Sequence, residues 1–326
     1  MKDKRKSIDF INSICASRSQ YLVGEQRLIR MADAEELSSA FDMLRESGFS
    51  GEISVPFTQY ESVIDGEEIA LNDFVREYAP SDEIESYCLA PYDFYNAEVL
   101  LKSIKLGLSY ESFVRTTGLF SVESLVELIE GKANEKSFPS EMVKAVKRAS
   151  EALDNGNGGM VVGAIFASAK YEYLKRIVKT GYLKEIIVKE IDGLNVCSAI
   201  RAGDGEVAVS QYIAGGSLTK GDVNVIATRD KKQVERLLSG SWIKDIALQA
   251  IDLVVSGKPL VETEKALNSL ATKRMIDGRY TENGGTYPFM LYYFKRKNEI
   301  ACVRTVLTGK ANGLLADEIK RRLITV

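Results

Sequence analysis

Asp93-Phe94-Tyr95-Asn96, running on to Lys102, is answered further along the chain by Asp192-Gly193-Leu194-Asn195, running on to Arg201. In each stretch an Asp stands three residues before an Asn, and a cation follows that Asn by six. Glycine then recurs: Gly118 trails the first Asn by 22 residues and Gly216 trails the second by 21. A third copy is partial, with Asn298 followed at the same distance by Arg304 but with Lys295 in the Asp position. A second set of landmarks keeps the register. Lys175-Arg176-Ile177-Val178 with Tyr182 matches Lys273-Arg274-Met275-Ile276 with Tyr280 at a shift of 98, whereas Asn195 and Asn298 are 103 apart. An insertion around Asn283-Gly284-Gly285 accounts for the difference. Self-similarity at a fixed period marks a repeat architecture in which each unit buries its apolar face against its neighbours. The three repeats are placed at 1–117, 118–217 and 218–326.

The repeats read as helical. Phe94, Ala97, Leu101, Ile104 and Leu108 recur at spacings of three and four, as do Met142, Ala145, Ala149 and Leu153. Leu315, Ile319 and Leu323 form another stripe, with Asp317 and Glu318 early and Lys320, Arg321 and Arg322 late, the order the helix dipole favours. Proline is tolerated in a first helical turn, so Pro91, Pro139, Pro259 and Pro288 are expected to open helices over 92–106, 141–153, 260–276 and 289–307. Only 52–55 and 206–213 alternate as strands do, too little for a parallel-sheet fold. The fold class is therefore all-α. The Asn of each motif lies among apolar neighbours and must find hydrogen-bond partners, typically backbone at a neighbouring helix end. The cation is nearly two turns from the Asn and further still from its Asp, so it cannot pair with that Asp on the helix and is expected to serve the helix C-terminus instead.

Composition removes most enzyme chemistries. Among 326 residues there is no histidine, hence no Ser–His or Cys–His pair and none of the commonest metal ligand. Lys plus Arg total 43 against 46 Asp plus Glu, a net charge of −3 that does not suit a nucleic-acid surface. Cys15, Cys88, Cys197 and Cys302 are far apart and read as buried thiols in a reducing compartment. The basic start, Met1 to Lys6, reads as a loose tail, and the sequence after it does not read as the apolar segment of a signal peptide. The longest charge-free stretch, 155–169, is too short for the roughly 20 residues of a membrane span.

Local motifs point to caps rather than to chemistry. Gly156-Asn157-Gly158-Gly159 has no strand before it and reads as an interhelical linker, not a phosphate cradle. The Gly-Lys pairs at 131–132, 257–258 and 309–310 lack the other P-loop glycine and read as helix ends. The acids of 33–36 and 81–85 suit the first turns of helices. Of Tyr292-Tyr293, one ring is expected in the core and the other at the surface. Because repeats project corresponding loops on one face, those around Gly107, Gly118, Gly203, Gly216 and Gly309 are candidate partner contacts. No catalytic, cofactor or metal residue is assigned, nor a small-molecule substrate.

The C-terminal stretch Tyr292-Tyr293-Phe294-Lys295-Arg296-Lys297-Asn298-Glu299-Ile300 is followed by Val303-Arg304, Gly309-Lys310, Gly313-Leu314 and Asp317-Glu318-Ile319. Together with Tyr92-Asp93-Phe94-Tyr95-Asn96 and Leu100-Leu101-Lys102, it resembles the C subunit of archaeal and bacterial A/V-type ATP synthases, which corresponds to the d subunit of eukaryotic V-type ATPases. The resemblance implies three pseudo-threefold-related helical bundles forming a funnel. It also implies a non-catalytic rotor part on the cytoplasmic face of a membrane, between central-axle subunits and the membrane proteolipid ring of an ion-transporting complex. Lys295 departs from the pattern and weakens equal roles across the repeats. The alternatives are a helical-repeat scaffold for another soluble partner and a carboxylate- or tyrosine-dependent enzyme, which would need a deep polar cleft.

Overall fold

The computed structural model of the chain describes residues 6–51, 53–115, 117–156, 158–282 and 284–323. The basic residues 1–5, Glu52 of one strand-like segment, Asn157 of the glycine-rich linker and Asn283 of the insertion lie outside the described residues. No strand forms among those described, only an isolated bridge between Phe49 and Gly51. The helices gather into two compact units, one of Met1–Asp82 with Glu264–Val326 and one of Glu83–Thr263. These divisions reflect packing and differ in kind from the repeat boundaries expected at 117/118 and 217/218 from internal likeness.

The first unit opens with α1 (Ile8–Ser19), α2 (Glu25–Asp33), α3 (Leu37–Arg45) and α4 (Tyr60–Tyr78). The second begins with α5 (Asp82–Leu106), α6 (Val122–Ile129), α7 (Ser140–Asp154) and α8 (Gly159–Ile177). It continues through α9 (Gly181–Ala202), α10 (Gly205–Ser210), α11 (Lys220–Ala227), α12 (Lys231–Leu237) and α13 (Lys244–Val255). After α14 (Val261–Asn268), the chain completes the first unit with α15 (Leu270–Asp277), α16 (Tyr287–Ala311) and α17 (Ala316–Arg322).

Each unit is organised on one long, largely buried helix. In the first, α16 packs against α1, α2, α3, α4, α15 and α17. It buries Phe289, Met290, Cys302 and Val306 on different sides, the pattern of a helix with little solvent face. In the second, α9 packs on α8, α10, α11 and α13, with Ile187, Ile191, Val196 and Ile200 fully buried.

Several sequence expectations are corrected. Pro91 does not open a helix but lies inside α5, which starts at Asp82. Ile84, Tyr87, Cys88 and Leu89 upstream are buried, and that burial offsets the backbone bond the ring removes. Pro139 and Pro288 do stand at helix starts, whereas the helix expected over 260–276 divides at Ser269 into α14 and α15. The segment 206–213 is no strand: the Asp204 side chain caps α10 by accepting from Val207 N, and Ala208 packs inward. Ile53 to Val55 likewise form no strand. Both Tyr292 and Tyr293 are buried, because α16 has neighbours on both flanks. Asp33 ends α2 instead of starting a helix, and there Lys320 pairs with it.

Candidate functional site

Asp93 and Asn96 are three residues apart on α5 and therefore share a face. Both are fully buried. Asn96 grips one backbone residue twice: its Nδ2 donates to Arg115 O at 2.6 Å and its Oδ1 accepts from Arg115 N at 2.8 Å. The Asp93 carboxylate accepts from Leu119 N at 2.9 Å and Phe120 N at 3.0 Å. Ser121 follows directly as the cap of α6, accepting from Ser124 N.

The second copy repeats this geometry. Asn195 Nδ2 donates to Ile213 O at 2.8 Å and Oδ1 accepts from Ile213 N at 2.9 Å. Asp192 accepts from Ser217 N at 2.7 Å, from Leu218 N at 3.2 Å and from the Ser217 hydroxyl at 2.6 Å. Thr219 then caps α11, in a reciprocal capping box with Asp222. In both copies one long helix fixes two points of the connection that leads into the next short helix. Hydrogen bonds from backbone N–H to a charged carboxylate are worth more than neutral ones, about 1.5–3 kcal/mol each.

The third motif on α16 is built differently. Lys295, in the Asp position, is half-buried; burial and the neighbouring Arg279 hold its ammonium below the ordinary lysine range. The helix-start N–H groups pass one turn along to Glu299, whose carboxylate accepts from Val23 N and, at 3.4 Å, from Gly24 N, the cap residue of α2. Glu299 is also paired with Arg296, which in turn donates to Glu67 and to Phe49 O and stacks over the Phe49 ring with 4.4 Å to its centroid. All three charged side chains are largely buried, at 10% exposure for Arg296, 14% for Glu67 and 6% for Glu299. Burial pushes the Glu299 carboxyl above its ordinary range against the pull of Arg296. Likeness between the repeats does not disclose this cluster. The spacing of Arg296 and Glu299 was a visible signal, but Glu67 lies far away in sequence. Asn298 is half-buried on the same helix.

The three motif cations do not share one task. Lys102 pairs with Glu98 at 2.5 Å, and Arg304 reaches across to α4, to Glu61 at 3.0 Å, Asp65 at 2.9 Å and Glu68 at 3.3 Å. Arg201 lies exposed in the last turn of α9. Service to a helix C-terminus, expected of these cations, falls at α9 to Arg229, which donates to Ile200 O at 2.8 Å and Arg201 O at 3.1 Å.

The five candidate glycines also separate. Gly107 and Gly203 are exposed left-handed residues just past α5 and α9. Gly118 and Gly216 lie against the clamp: a Cβ would stand 2.7 Å from Asp93 Cγ at the first and 3.0 Å from Ile191 Cγ2 at the second, and overlap the aspartate oxygen at both. Gly309 is not in a loop at all. It is buried inside α16, where α17 crosses so closely that a Cβ would stand 2.8 Å from Ile319 Cγ1. Gly131 and Gly257 have the left-handed backbone of helix ends, with φ of 72° and 69°.

Two further carboxylates tie helices within the second unit. Glu83 accepts from Lys179 N at 2.9 Å and Thr180 N at 2.8 Å, at the start of α9. Glu141 on α7, with its side chain 4% exposed, takes Arg176 of α8 at 2.6 and 3.2 Å. The hydrogen bond from Arg176 holds the Glu141 carboxyl below its ordinary range. A depressed carboxylate stabilises the fold above its unfolded pKa, and that contribution is lost as pH falls through the folded one. Arg176 is 56% exposed and screened, so Arg176→Gln is expected to cost at most about 1 kcal/mol at neutral pH. Thermal melts of both chains should converge as pH falls through and below the ordinary carboxylate range; a gap independent of pH would remove the ion pair as its cause.

Among the described residues no group of side chains has the arrangement of a metal site, and no helix is long and apolar enough to cross a membrane. A cavity of about 140 Å³ in the first unit is lined by Arg18, Tyr21, Tyr292, Arg296 and Glu67. The guanidinium of Arg296 is already satisfied there by Glu67 and Glu299.

The family model described as ATP synthase (C/AC39) subunit matches residues 11–322. The chain is 23% identical to the A-type ATP synthase C subunit of Haloquadratum walsbyi, over 92% of each chain. It is 19% identical to the V-type sodium ATPase C subunit of Enterococcus hirae, over 96% of this chain and 97% of that one.

Proposed function

The chain belongs to the ATP synthase (C/AC39) subunit family, and from that premise we propose that it is a non-catalytic central-stalk subunit of an A/V-type rotary ATPase. In this reading it joins the cytosolic axle to the membrane proteolipid ring and passes torque between them during ATP-linked ion transport. The observation that carries the proposal is the family match along nearly the whole chain.

The physical chemistry of the fold supports it. A torque coupler needs stiffness, and close-packed helices transmit strain with little compression. The aspartate and asparagine clamps add to that stiffness by tying the connections after α5 and α9 to the helices themselves. Part of the same proposal is that 1–117, 118–217 and 218–326 are copies of one helical unit, and that the exposed connections around Gly107 and Gly203 face partner subunits.

The test is association. Washed membranes from cells producing the tagged chain are expected to retain it, and mild detergent extraction should recover it with the axle and proteolipid subunits. Recovery in a complex that contains no ATPase subunit would overturn the rotary assignment in favour of a helical scaffold.

A further inference from the structure

The two clamp copies differ in what covers the short helix that follows them. In the second copy α10 packs on α11 and lies so close that a Cβ on Gly205 would stand 2.8 Å from Asn224 Cγ. Asn224 is five residues beyond the cap Thr219; five residues beyond the matching cap Ser121 stands Val126. In the first copy no helix forms among the described residues between α5 and α6, and a turn at 110–113 takes the place of α10. Beside that turn is an open groove of about 590 Å³.

Its lining has two parts. Val114, Val122 and Val126 with Tyr110 supply the apolar part, while Glu123, Glu127 and Glu130, with Glu111 held by the Ser109 hydroxyl and Tyr110 N, supply four carboxylates against the one ammonium of Lys132. Lys132 is spent on Glu130 at 2.6 Å, and Glu123 and Glu127 make no ion pair among the described residues. Phe113, beside Val114, is 59% exposed, and Leu108 and Leu106, two and four residues before Tyr110, are 61 and 65% exposed. Acidic walls repel phosphate-bearing partners, so neither a nucleic acid nor an anionic membrane suits this groove. An apolar strip with carboxylates along its side matches instead a helix with apolar residues on one face and Lys or Arg beside them.

We propose that the groove between the 110–114 turn and α6 binds a basic amphipathic helix of a protein partner, laid along the apolar residues of α6. This docking goes beyond the rotary reading and does not rest on it, since its test needs only the free chain.

The probe is a synthetic Leu/Lys amphipathic peptide of about 14 residues, about 21 Å long as a helix, with a Leu/Glu peptide of the same pattern as control. Fluorescence anisotropy should show binding of the basic peptide, weakening as salt is raised, and none of the acidic one. Two double variants separate docking from general attraction. Glu127→Gln with Glu130→Gln should weaken binding and flatten its salt dependence. Val122→Glu with Val126→Glu adds negative charge yet should weaken binding about tenfold or more, because it charges the apolar strip. Unchanged circular dichroism and melting temperature in both variants exclude misfolding as the cause. Equal or tighter binding by the valine variant means surface attraction only and overturns the proposal, as does no binding to the unaltered chain. Self-association of the unaltered chain that the valine variant abolishes would assign the groove to a second copy, and also overturns it.

Discussion

Arg296→Met is expected to lower stability by about 3–5 kcal/mol, the usual cost of removing one partner from a buried charge cluster. The side chain fits the volume of the arginine stem, so the loss comes from what remains: Glu67 and Glu299, both largely buried, facing each other without the guanidinium that holds them. The carbonyl of Phe49 loses its donor, and the Phe49 ring loses the flat cation stacked on it. Calorimetry of the full chain should show the loss as a fall in melting temperature. A second chain that also carries Glu67→Gln and Glu299→Gln should recover part of it, because neutral amides remove the uncompensated charge even though they do not rebuild the network. If the single variant melts with the unaltered chain, or the triple variant is worse than the single, the cluster is not held together by charge.

Gly118→Ala is expected to cost about 3 kcal/mol, far more than the same methyl at Gly107. The φ angle is not the reason, since Gly118 does not lie in the left-handed region, whereas Gly107 does, at 65°. The new methyl at 118 would overlap the Asp93 carboxylate, which is fully buried and bound to Leu119 N and Phe120 N. Relief requires either the carboxylate or the connection to move, and either movement breaks charged hydrogen bonds inside the protein. At Gly107 nothing lies within 4 Å of the added carbon, so Ala there costs only the left-handed backbone, about 1 kcal/mol. Hydrogen exchange gives the local readout: amides of Leu119 and Phe120 should lose protection in the 118 variant and keep it in the 107 variant. Equal melting temperatures for the two would show that the clamp yields freely.

The helical class and the repeated Asp–Asn pair were legible because both are local. Periodicity at three and four places apolar residues on a face, and an Asn among such residues must find hydrogen-bond partners; that the Asp is buried with it emerges only in the fold. The partners of that pair were not legible, because they are backbone groups whose identity no side chain announces: Arg115 and Ile213 carry no mark of their role. Proline misled at Pro91, where buried residues upstream extend α5 past a residue that usually starts a helix. Glycine misled at Gly309, where the missing Cβ serves the crossing of two helices and not a turn. The Arg296 cluster escaped for a different reason, since Glu67 and Phe49 approach it only after the chain has folded back on itself.

The grip of Asn96 and Asn195 on main-chain amides is blind to what those residues carry outward. A segment fastened by its peptide groups can exchange nearly every side chain and still be presented at the same spot. Evolution can thus rewrite the face such a segment shows to neighbours while the mounting beneath it stays as it was.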